Sequence, residues 1–202
     1  MQKYRILNVL LVCILCTACS DSIQLNALSA DDTVLAFGDS LTFGSGAAPQ
    51  QSYPAQLAQL INRKIINAGV PGEMTAEGLI RLPQLLDKHE PALLILCHGG
   101  NDFLRKKPLA ETRSNIAEMI AMAKKRNIDV VLMATPTPSL FLSVPGFYSD
   151  LADEFKIAYE GKIIADVESQ PTLKSDAVHP NAEGYRHIAQ QLAKILRQHG
   201  AY

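Results

Sequence analysis

The chain has 202 residues, of which 48% are hydrophobic and 19% are charged. Nineteen basic residues against twenty acidic ones give a net charge of −1, so no polycationic surface and no nucleic-acid partner are expected. The apolar fraction excludes a largely disordered chain, and the length suits one domain with one sizeable core. We therefore expect a single globular domain behind a separate N-terminal segment.

The N-terminus has the pattern of an export signal. Lys3 and Arg5 precede an almost wholly apolar run from Ile6 to Cys16. At about eleven residues, this run is too short to span a bilayer. We predict that residues 1–18 are a signal peptide and that the protein is exported.

Cys16-Thr17-Ala18-Cys19 resembles a bacterial lipobox, in which the last cysteine is lipidated and becomes the new N-terminus. It departs from that pattern because Cys16 stands where leucine is usual. We expect lipidation at Cys19, with residues 19–32 as the lipidated N-terminus and a polar tether, and hence a membrane as partner through the lipid anchor. The predicted location is the periplasm or a bacterial membrane, and Ser20 as the second mature residue favours the outer membrane. A soluble periplasmic or secreted product is the alternative.

Beyond the tether, short apolar runs alternate with stretches of helical periodicity. In chain order, the predicted elements are strand Thr33–Phe37, helix Tyr53–Asn62, strand Lys64–Asn67, helix Thr75–Lys88, strand Leu93–His98, helix Leu109–Arg126, strand Asp129–Ala134, helix Tyr148–Tyr159, strand Lys162–Ala165 and helix Ala182–His199. This alternation predicts one domain over residues 33–202 with a doubly wound, three-layer α/β/α fold, flavodoxin-like, around a five-stranded parallel sheet.

Polar and glycine-rich segments follow the carboxyl ends of these strands, which is where such folds bind ligands. Gly38-Asp39-Ser40 follows the first strand, Gly69 the second and Gly99-Gly100-Asn101-Asp102 the third, while Asp176 and His179 precede the last helix. A hydroxyl, an imidazole with a carboxylate three residues away, and several amide donors would meet at one edge. These are the groups that acyl transfer from an ester requires.

Four blocks carry a family resemblance: Phe37–Thr42, Gly69, 99–102 and Asp176–Pro180. In order and spacing they resemble the SGNH (GDSL) hydrolases, and the stretches 81–86 and 93–104 are similar to the bacterial thioesterase I/lysophospholipase/arylesterase branch. The resemblance implies a serine esterase that acts on aryl esters, thioesters or lysophospholipids without a metal or organic cofactor. Cys97-His98 departs from that branch, which often carries an acidic and an aliphatic residue there.

The chemistry of the same residues supports specific roles. We expect Ser40 to be the nucleophile, His179 its general base, and Asp176 the carboxylate that orients the imidazole. The backbone N–H groups of Ser40 and Gly69 and the side-chain amide of Asn101 are the predicted oxyanion donors.

Other residues are given structural or binding roles. Asp39 and Asp102 are expected to bond loop amides rather than to take part in the chemistry. Cys97 and His98 are consecutive in a predicted strand, so their side chains point to opposite faces and no metal site is expected. The apolar, proline-braced segment after the fourth strand is predicted to form a wall of the acyl pocket, with three substrate-binding residues, Leu140, Phe141 and Leu142.

Two other functions stay open at this point. One is a carbohydrate O-acetylesterase of the same fold, and the other is a non-catalytic, flavodoxin-like binding lipoprotein. The sequence leaves the acyl chain length, the physiological substrate and the oligomeric state open.

Overall fold

A computed structural model describes residues 23–139 and 142–202 of the chain. The predicted signal peptide, the predicted lipidation site Cys19, and Leu140 and Phe141 lie outside the described residues. Across the two described ranges, no helix is long and apolar enough to cross a bilayer.

A parallel sheet of five strands forms the middle layer of the described part, in the order β2-β1-β3-β4-β5. The strands are β1 (Thr33–Gly38), β2 (Lys64–Gly69), β3 (Leu93–Cys97), β4 (Asp129–Met133) and β5 (Ala158–Glu160). Every residue of β3 is buried, as expected for a central strand that is covered on both faces. The predicted α/β fold is confirmed.

Helices cover both faces of the sheet. They are α1 (Ser40–Phe43), α2 (Tyr53–Ile61), α3 (Thr75–His89), α4 (Gly100–Leu104), α5 (Leu109–Lys125), α6 (Phe147–Phe155), α7 (Ile163–Glu168) and α8 (Ala182–Gln198), with single 3₁₀ turns at Pro49–Gln51 and Pro171–Leu173. The helices α2, α7 and α8 bury their apolar sides against one face, and α3, α5 and α6 against the other. Each face of the sheet therefore has its own hydrophobic core.

The register of the sheet brings the carboxyl ends of its central strands to one level. Gly38 pairs with Gly69 on β2 and with Cys97 on β3, and Cys97 pairs with Met133 on β4. The segments that follow these strands consequently leave the sheet side by side, at the edge where doubly wound folds bind ligands.

The fifth strand differs from the prediction. The sequence predicts a strand at Lys162–Ala165, but β5 is Ala158–Glu160, and Ile163–Glu168 forms α7. The side chain of Glu160 explains the change, because its Oε1 accepts hydrogen bonds at 2.7 and 2.9 Å from two backbone N–H groups just beyond the strand. These bonds end β5 and start the helix, whose buried residues Ile164 and Val167 follow a helical period.

Helix ends also differ from the prediction. The predicted helix Tyr148–Tyr159 is α6, Phe147–Phe155, and it ends at Lys156, whose φ of +51° is left-handed. The short helices α1 and α4 are absent from the prediction, because four or five residues are too few to show a helical period. The other predicted helices agree with the structure to within one residue at each end.

The segment before β1 is part of the domain rather than a free tether. Leu25 and Leu28 are buried in the same hydrophobic core as the apolar residues of α2 and α8. Their backbone N–H groups donate to the carbonyls of His199 and Ala201, each at 2.8 Å. The polar tether predicted up to residue 32 is therefore wrong from residue 25 onward, because the apolar residues of this segment pack against the end of the chain.

Candidate active site

Ser40, His179 and Asp176 lie together at the carboxyl edge of the sheet. His179 Nε2 is 3.0 Å from Ser40 Oγ, and His179 Nδ1 is 2.7 Å from Asp176 Oδ2. Ser40 opens α1 directly after β1, and the other two residues come from the loop before α8. With the Nδ1–H tautomer, the ring donates to the carboxylate and Nε2 accepts from the serine hydroxyl.

Hydrogen bonds hold Asp176 as a carboxylate. Its Oδ1 accepts from the backbone N–H groups of Val178 at 2.9 Å and of His179 at 2.8 Å, while Oδ2 faces the imidazole. Desolvation raises the pKa of this carboxyl, but the hydrogen bonds from His179 and Val178 outweigh it and lower the pKa to about 2. Asp176 is therefore ionised at neutral pH, although 52% of its side chain is exposed.

Asn101 is anchored on two sides. Its Nδ2 donates to Asp39 Oδ2 and to the backbone carbonyl of Glu73, each at 3.1 Å. The buried Asp39 also accepts from the backbone N–H of Leu41 at 3.0 Å, so it links the Ser40 and Asn101 segments. The expectation that Asp39 bonds loop amides is confirmed. Both hydrogens of the Asn101 amide already have acceptors. A bound oxyanion would therefore have to share one of these hydrogens with its present acceptor, or take the place of that acceptor.

Asp102 ties the same segment to the start of α3. Its Oδ2 accepts from the backbone N–H of Thr75 at 2.9 Å, and its Oδ1 accepts from the Thr75 hydroxyl at 2.6 Å. Asp102 is buried, and both of its carboxyl oxygens bond to Thr75 at this helix end. Its predicted structural role is confirmed, but its partners are the N–H and hydroxyl of Thr75 at the start of α3 rather than loop amides.

Gly69 has a packing role in the structure. Its N–H donates to Asn67 Oδ1 at 3.0 Å. A Cβ at this position would lie 2.1 Å from the backbone nitrogen of Phe43, so a glycine is needed for α1 to pack on β2. Gly69 is not among the residues that line the cavity above Ser40. The expectation that its N–H points at a bound oxyanion does not fit this geometry.

A tight turn just after Gly69 brings a different glycine to the cavity. Glu73 N–H donates to the Val70 carbonyl at 3.2 Å, and Gly72 between them has a φ of +80°. This is a type II turn with Pro71 and Gly72 at their favoured positions. Gly72 lines the cavity, and no hydrogen bond of the described residues uses its N–H. The Pro-Gly dipeptide is the signal that could have located this residue from the sequence.

A largely buried ion-pair cluster of Glu73, Arg81 and His98 anchors the last residue of this turn. Arg81 Nε and Nη2 donate to Glu73 Oε1 and Oε2 at 2.7 and 2.6 Å, and His98 Nε2 lies 3.1 Å from Oε2. Desolvation raises the pKa of Glu73, but the bonds from His98 and Arg81 outweigh it and lower the pKa. His98 is fully buried and does not line the cavity, and its Nδ1 has no partner in the described part of the chain. The sequence did not single out Glu73 or Arg81 for this role.

The cavity above Ser40 has a volume of about 530 Å³. Its apolar wall consists of Leu41, Pro71, Leu104, Pro136, Pro138, Leu142, Ala177 and Val178. Of the three predicted substrate-binding residues, Leu142 lines the cavity, and the other two lie outside the described residues. The cavity is large enough, and its wall apolar enough, to hold a short or medium acyl chain.

The sequence matches the profile of the GDSL-like lipase/acylhydrolase family over residues 36–187. The chain belongs to this family. It is 30% identical over 187 residues to an arylesterase of Vibrio mimicus, covering 86% of this chain and 92% of the relative. It is also 30% identical over 177 residues to thioesterase 1/protease 1/lysophospholipase L1 of Escherichia coli strain K12, covering 84% and 85% respectively.

Solved structures of GDSL-like hydrolases agree with this assignment. AlinE4, an SGNH-hydrolase family esterase, matches the present structure with a TM-score of 0.68 and 32% identity, covering 85% of this chain and 98% of that one. The family predicted from the four sequence blocks is confirmed. The protein is an esterase, and these relatives favour acyl ester hydrolysis over the carbohydrate O-acetylesterase and the non-catalytic binding lipoprotein.

Proposed function

We propose that this GDSL-like hydrolase cleaves acyl esters through an acyl-enzyme on Ser40. The observation that carries the proposal is the chain of contacts from Ser40 Oγ through His179 to Asp176, at 3.0 and 2.7 Å, on the wall of a cavity. A serine hydroxyl is a weak nucleophile until a base removes its proton, and His179 is within hydrogen-bonding distance to do so.

The proposed reaction has two halves. First, Ser40 Oγ bonds to the acyl carbon while His179 Nε2 takes the hydroxyl proton. Collapse of the tetrahedral intermediate breaks the bond to the leaving oxygen or sulfur, which receives that proton. Water then attacks the acyl-enzyme with His179 again as the base, and the acid leaves as Ser40 regains its proton. Asp176 keeps the imidazole in the required tautomer and stabilises its positive charge.

Three donors would stabilise the oxyanion. The Ser40 N–H is the first of α1 and has no acceptor within that helix. The Gly72 N–H is at the cavity wall, and we assign it the role that the sequence gave to Gly69. The Asn101 amide is held in place by Asp39 and Glu73. Fixed donors of this kind stabilise the charge that develops in the transition state.

The proposed substrates are aryl esters, thioesters and lysophospholipids. The names of the two curated relatives include arylesterase, thioesterase and lysophospholipase, and the apolar wall of the cavity supports an acyl-chain site. A series of 4-nitrophenyl esters from acetate to decanoate tests this. We expect kcat/KM to rise beyond acetate, and folded Ser40→Ala protein to turn over none of the esters. Activity on acetate alone would favour the O-acetylesterase instead.

We also propose that the protein is an exported lipoprotein, anchored to a membrane through Cys19. The charged start, the apolar run and the lipobox-like end of residues 1–19 support this. Cys19→Ser should move the protein from the membrane fraction to the soluble fraction and change the processing of its precursor. A wild-type protein that is already wholly soluble, with an unmodified N-terminus, would contradict the proposal.

A further inference from the structure

Glu168 is a carboxylic acid in the wall of the cavity that the proposed mechanism does not use. It is the last residue of α7, and it lines the cavity together with Ser40 and His179. It is only partly exposed, and within the described ranges its carboxyl group has no hydrogen-bond partner. A partly buried carboxyl without hydrogen bonds is costly, and a bound ligand can relieve that cost.

The other ionisable groups of the cavity wall do not balance this acid. Among the described lining residues, Asp39, Glu168 and His179 are ionisable, and none is a lysine or an arginine. Asp39 is already bonded to Leu41 and Asn101, and His179 to Ser40. Glu168 is therefore the charged group of this wall that remains available to a substrate.

The surroundings of Glu168 allow its charge to change near neutrality. Desolvation raises its pKa to about 7, opposed by Lys174 and reinforced by Asp39. Lys174 Nζ is 3.3 Å from the Ala177 carbonyl, to which it donates. Two further groups that interact electrostatically with Glu168, the Cys97 thiol and the Tyr185 hydroxyl, stay neutral because burial raises the pKa of each.

We propose that Glu168 makes the site selective for charge, disfavouring esters that carry an anionic group and favouring neutral esters or esters with a hydroxyl or ammonium donor. This inference rests on the proposed esterase function. Within a cavity of about 530 Å³, an anionic substrate group lies within about 10 Å of the carboxylate, so the two negative charges repel each other. A substrate O–H or N–H can instead donate to the Glu168 carboxyl oxygens, which have no hydrogen-bond partner among residues 23–139 and 142–202.

The test compares two matched pairs of esters between pH 5.5 and 8.5. The first pair is mono-4-nitrophenyl adipate, whose acyl chain ends in a carboxylate, and neutral 4-nitrophenyl hexanoate. The second pair is the butyrate ester of 4-hydroxybenzoate and the butyrate ester of its methyl ester. Both esters of a pair need His179 as the base, so the effect of His179 protonation on kcat/KM is the same for each. It therefore cancels in the ratio of their kcat/KM values. Spontaneous hydrolysis is subtracted at each pH.

For the wild type, we expect the anionic-to-neutral ratio to fall about tenfold as the pH rises through about 7, in at least one pair. The pair that responds shows whether Glu168 faces the acyl or the alcohol part of the substrate. Glu168→Gln should hold the ratio at its low-pH value throughout. Glu118→Gln removes a similar charge from the exposed surface of α5 and should keep the wild-type profile.

A wild-type ratio that is flat in both pairs, or a pH-dependent fall that survives in folded Glu168→Gln protein, would overturn the charge selectivity. Both results leave the esterase function intact, because the neutral esters are still cleaved. Folded wild-type protein that cleaves none of the four esters would instead overturn the proposed function, and the inference with it.

Discussion

Asp176, Asp39 and Glu168 are three of the carboxyl groups in or beside the candidate site, and their surroundings give them different roles. Asp176 accepts three hydrogen bonds and is ionised even in mild acid. Asp39 is buried, and its two oxygens accept from Leu41 and Asn101, so it fixes the positions of loops. Glu168 has no hydrogen-bond partner in the described ranges and faces the substrate cavity. Residue type alone does not separate these roles, whereas hydrogen bonding and burial do.

Asp176→Asn tests the orienting carboxylate. We expect kcat to fall roughly 10²–10⁴-fold, which is less than for Ser40→Ala, because the hydroxyl and the imidazole both remain. The measurement is kcat for a 4-nitrophenyl ester at neutral pH. Equal losses in Asp176→Asn and Ser40→Ala would contradict a purely orienting role.

The same substitution has a defined effect on stability. The folded-state pKa of Asp176 is about 2, below the ordinary value of 3.8 for an aspartate, so its carboxylate stabilises the fold above about pH 4. This advantage of the wild type over Asp176→Asn should disappear as the pH falls toward 2. Urea unfolding of both proteins at pH 2.5, 4 and 7 gives the comparison, and a difference that grows on acidification would contradict the assignment.

Asn101→Ala tests the oxyanion donor. Removing one such donor typically lowers kcat about 10²–10³-fold, and KM should change little because the ground-state carbonyl carries less charge. Steady-state kinetics, with fluorophosphonate labelling as a control for the accessibility of Ser40, give the result. A kcat within about twofold of the wild type would leave Asn101 with only its hydrogen bonds to Asp39 and Glu73.

At the scale of elements, the turn Val70–Glu73 connects the packing of the domain to the proposed chemistry. The Glu73 side chain anchors it through Arg81 and His98, while the Glu73 carbonyl accepts from Asn101. One residue thus fixes both the turn that presents Gly72 and the amide of Asn101. The sequence predicts the strands on either side of this turn, but it does not predict which N–H groups remain available to a ligand.

Glu73→Gln should make the positions of both proposed oxyanion donors, the Gly72 N–H and the Asn101 amide, less fixed. Arg81 is 25% exposed, so the pair is only partly buried, and we expect the loss of its charged hydrogen bonds to cost about 1–3 kcal/mol in unfolding free energy. We also expect kcat to fall about tenfold with KM nearly unchanged. The matched control is Glu154→Gln, which breaks an exposed pair with Arg113 and should cost under about 1 kcal/mol. A change in KM alone would show that the turn binds substrate rather than supporting catalysis.

The strands that the sequence predicts well are those with continuous apolar runs. Leu93–Cys97 and Asp129–Met133 are almost wholly buried, so composition alone identifies them. The fifth strand fails because Ala158–Glu160 is only three residues long and carries a charged residue, whereas the Ile-Ile pair that imitates a strand belongs to a helix. That error hides Glu168, whose place in the cavity wall follows from the helix. From the sequence, the oxyanion donor is predicted at Gly69, directly after β2, whereas the type II turn places the available N–H three residues further along the chain, at Gly72.

At the scale of the whole molecule, the two ends of the described chain pack together. The segment around Leu25 and Leu28 is hydrogen-bonded to the residues after α8, and its buried leucines belong to the same core as α2 and α8. Composition and polarity indicate a tether here, because two leucines among polar residues give no periodic signal. The domain therefore includes this segment as well as the residues from β1 onward.

Leu25→Ala measures what this packing contributes. Truncating a buried leucine typically costs about 2–4 kcal/mol through lost burial and the cavity that remains. The control is Ile80→Ala, at a side chain that is 81% exposed, where a change within about 0.5 kcal/mol is expected. Urea unfolding of both variants makes the comparison. A Leu25→Ala protein as stable as the control would show that the segment contributes nothing to the fold.

The central claim is that Ser40 is the nucleophile, activated by His179. Incubation with a fluorophosphonate, followed by intact-mass analysis and peptide mapping, tests it most directly. The wild type should gain the mass of one phosphonyl group per chain, located on Ser40, and His179→Ala should label far more slowly because the base is gone. Folded wild-type protein that hydrolyses esters while Ser40 stays unmodified, or that carries the label on another residue, would contradict the account.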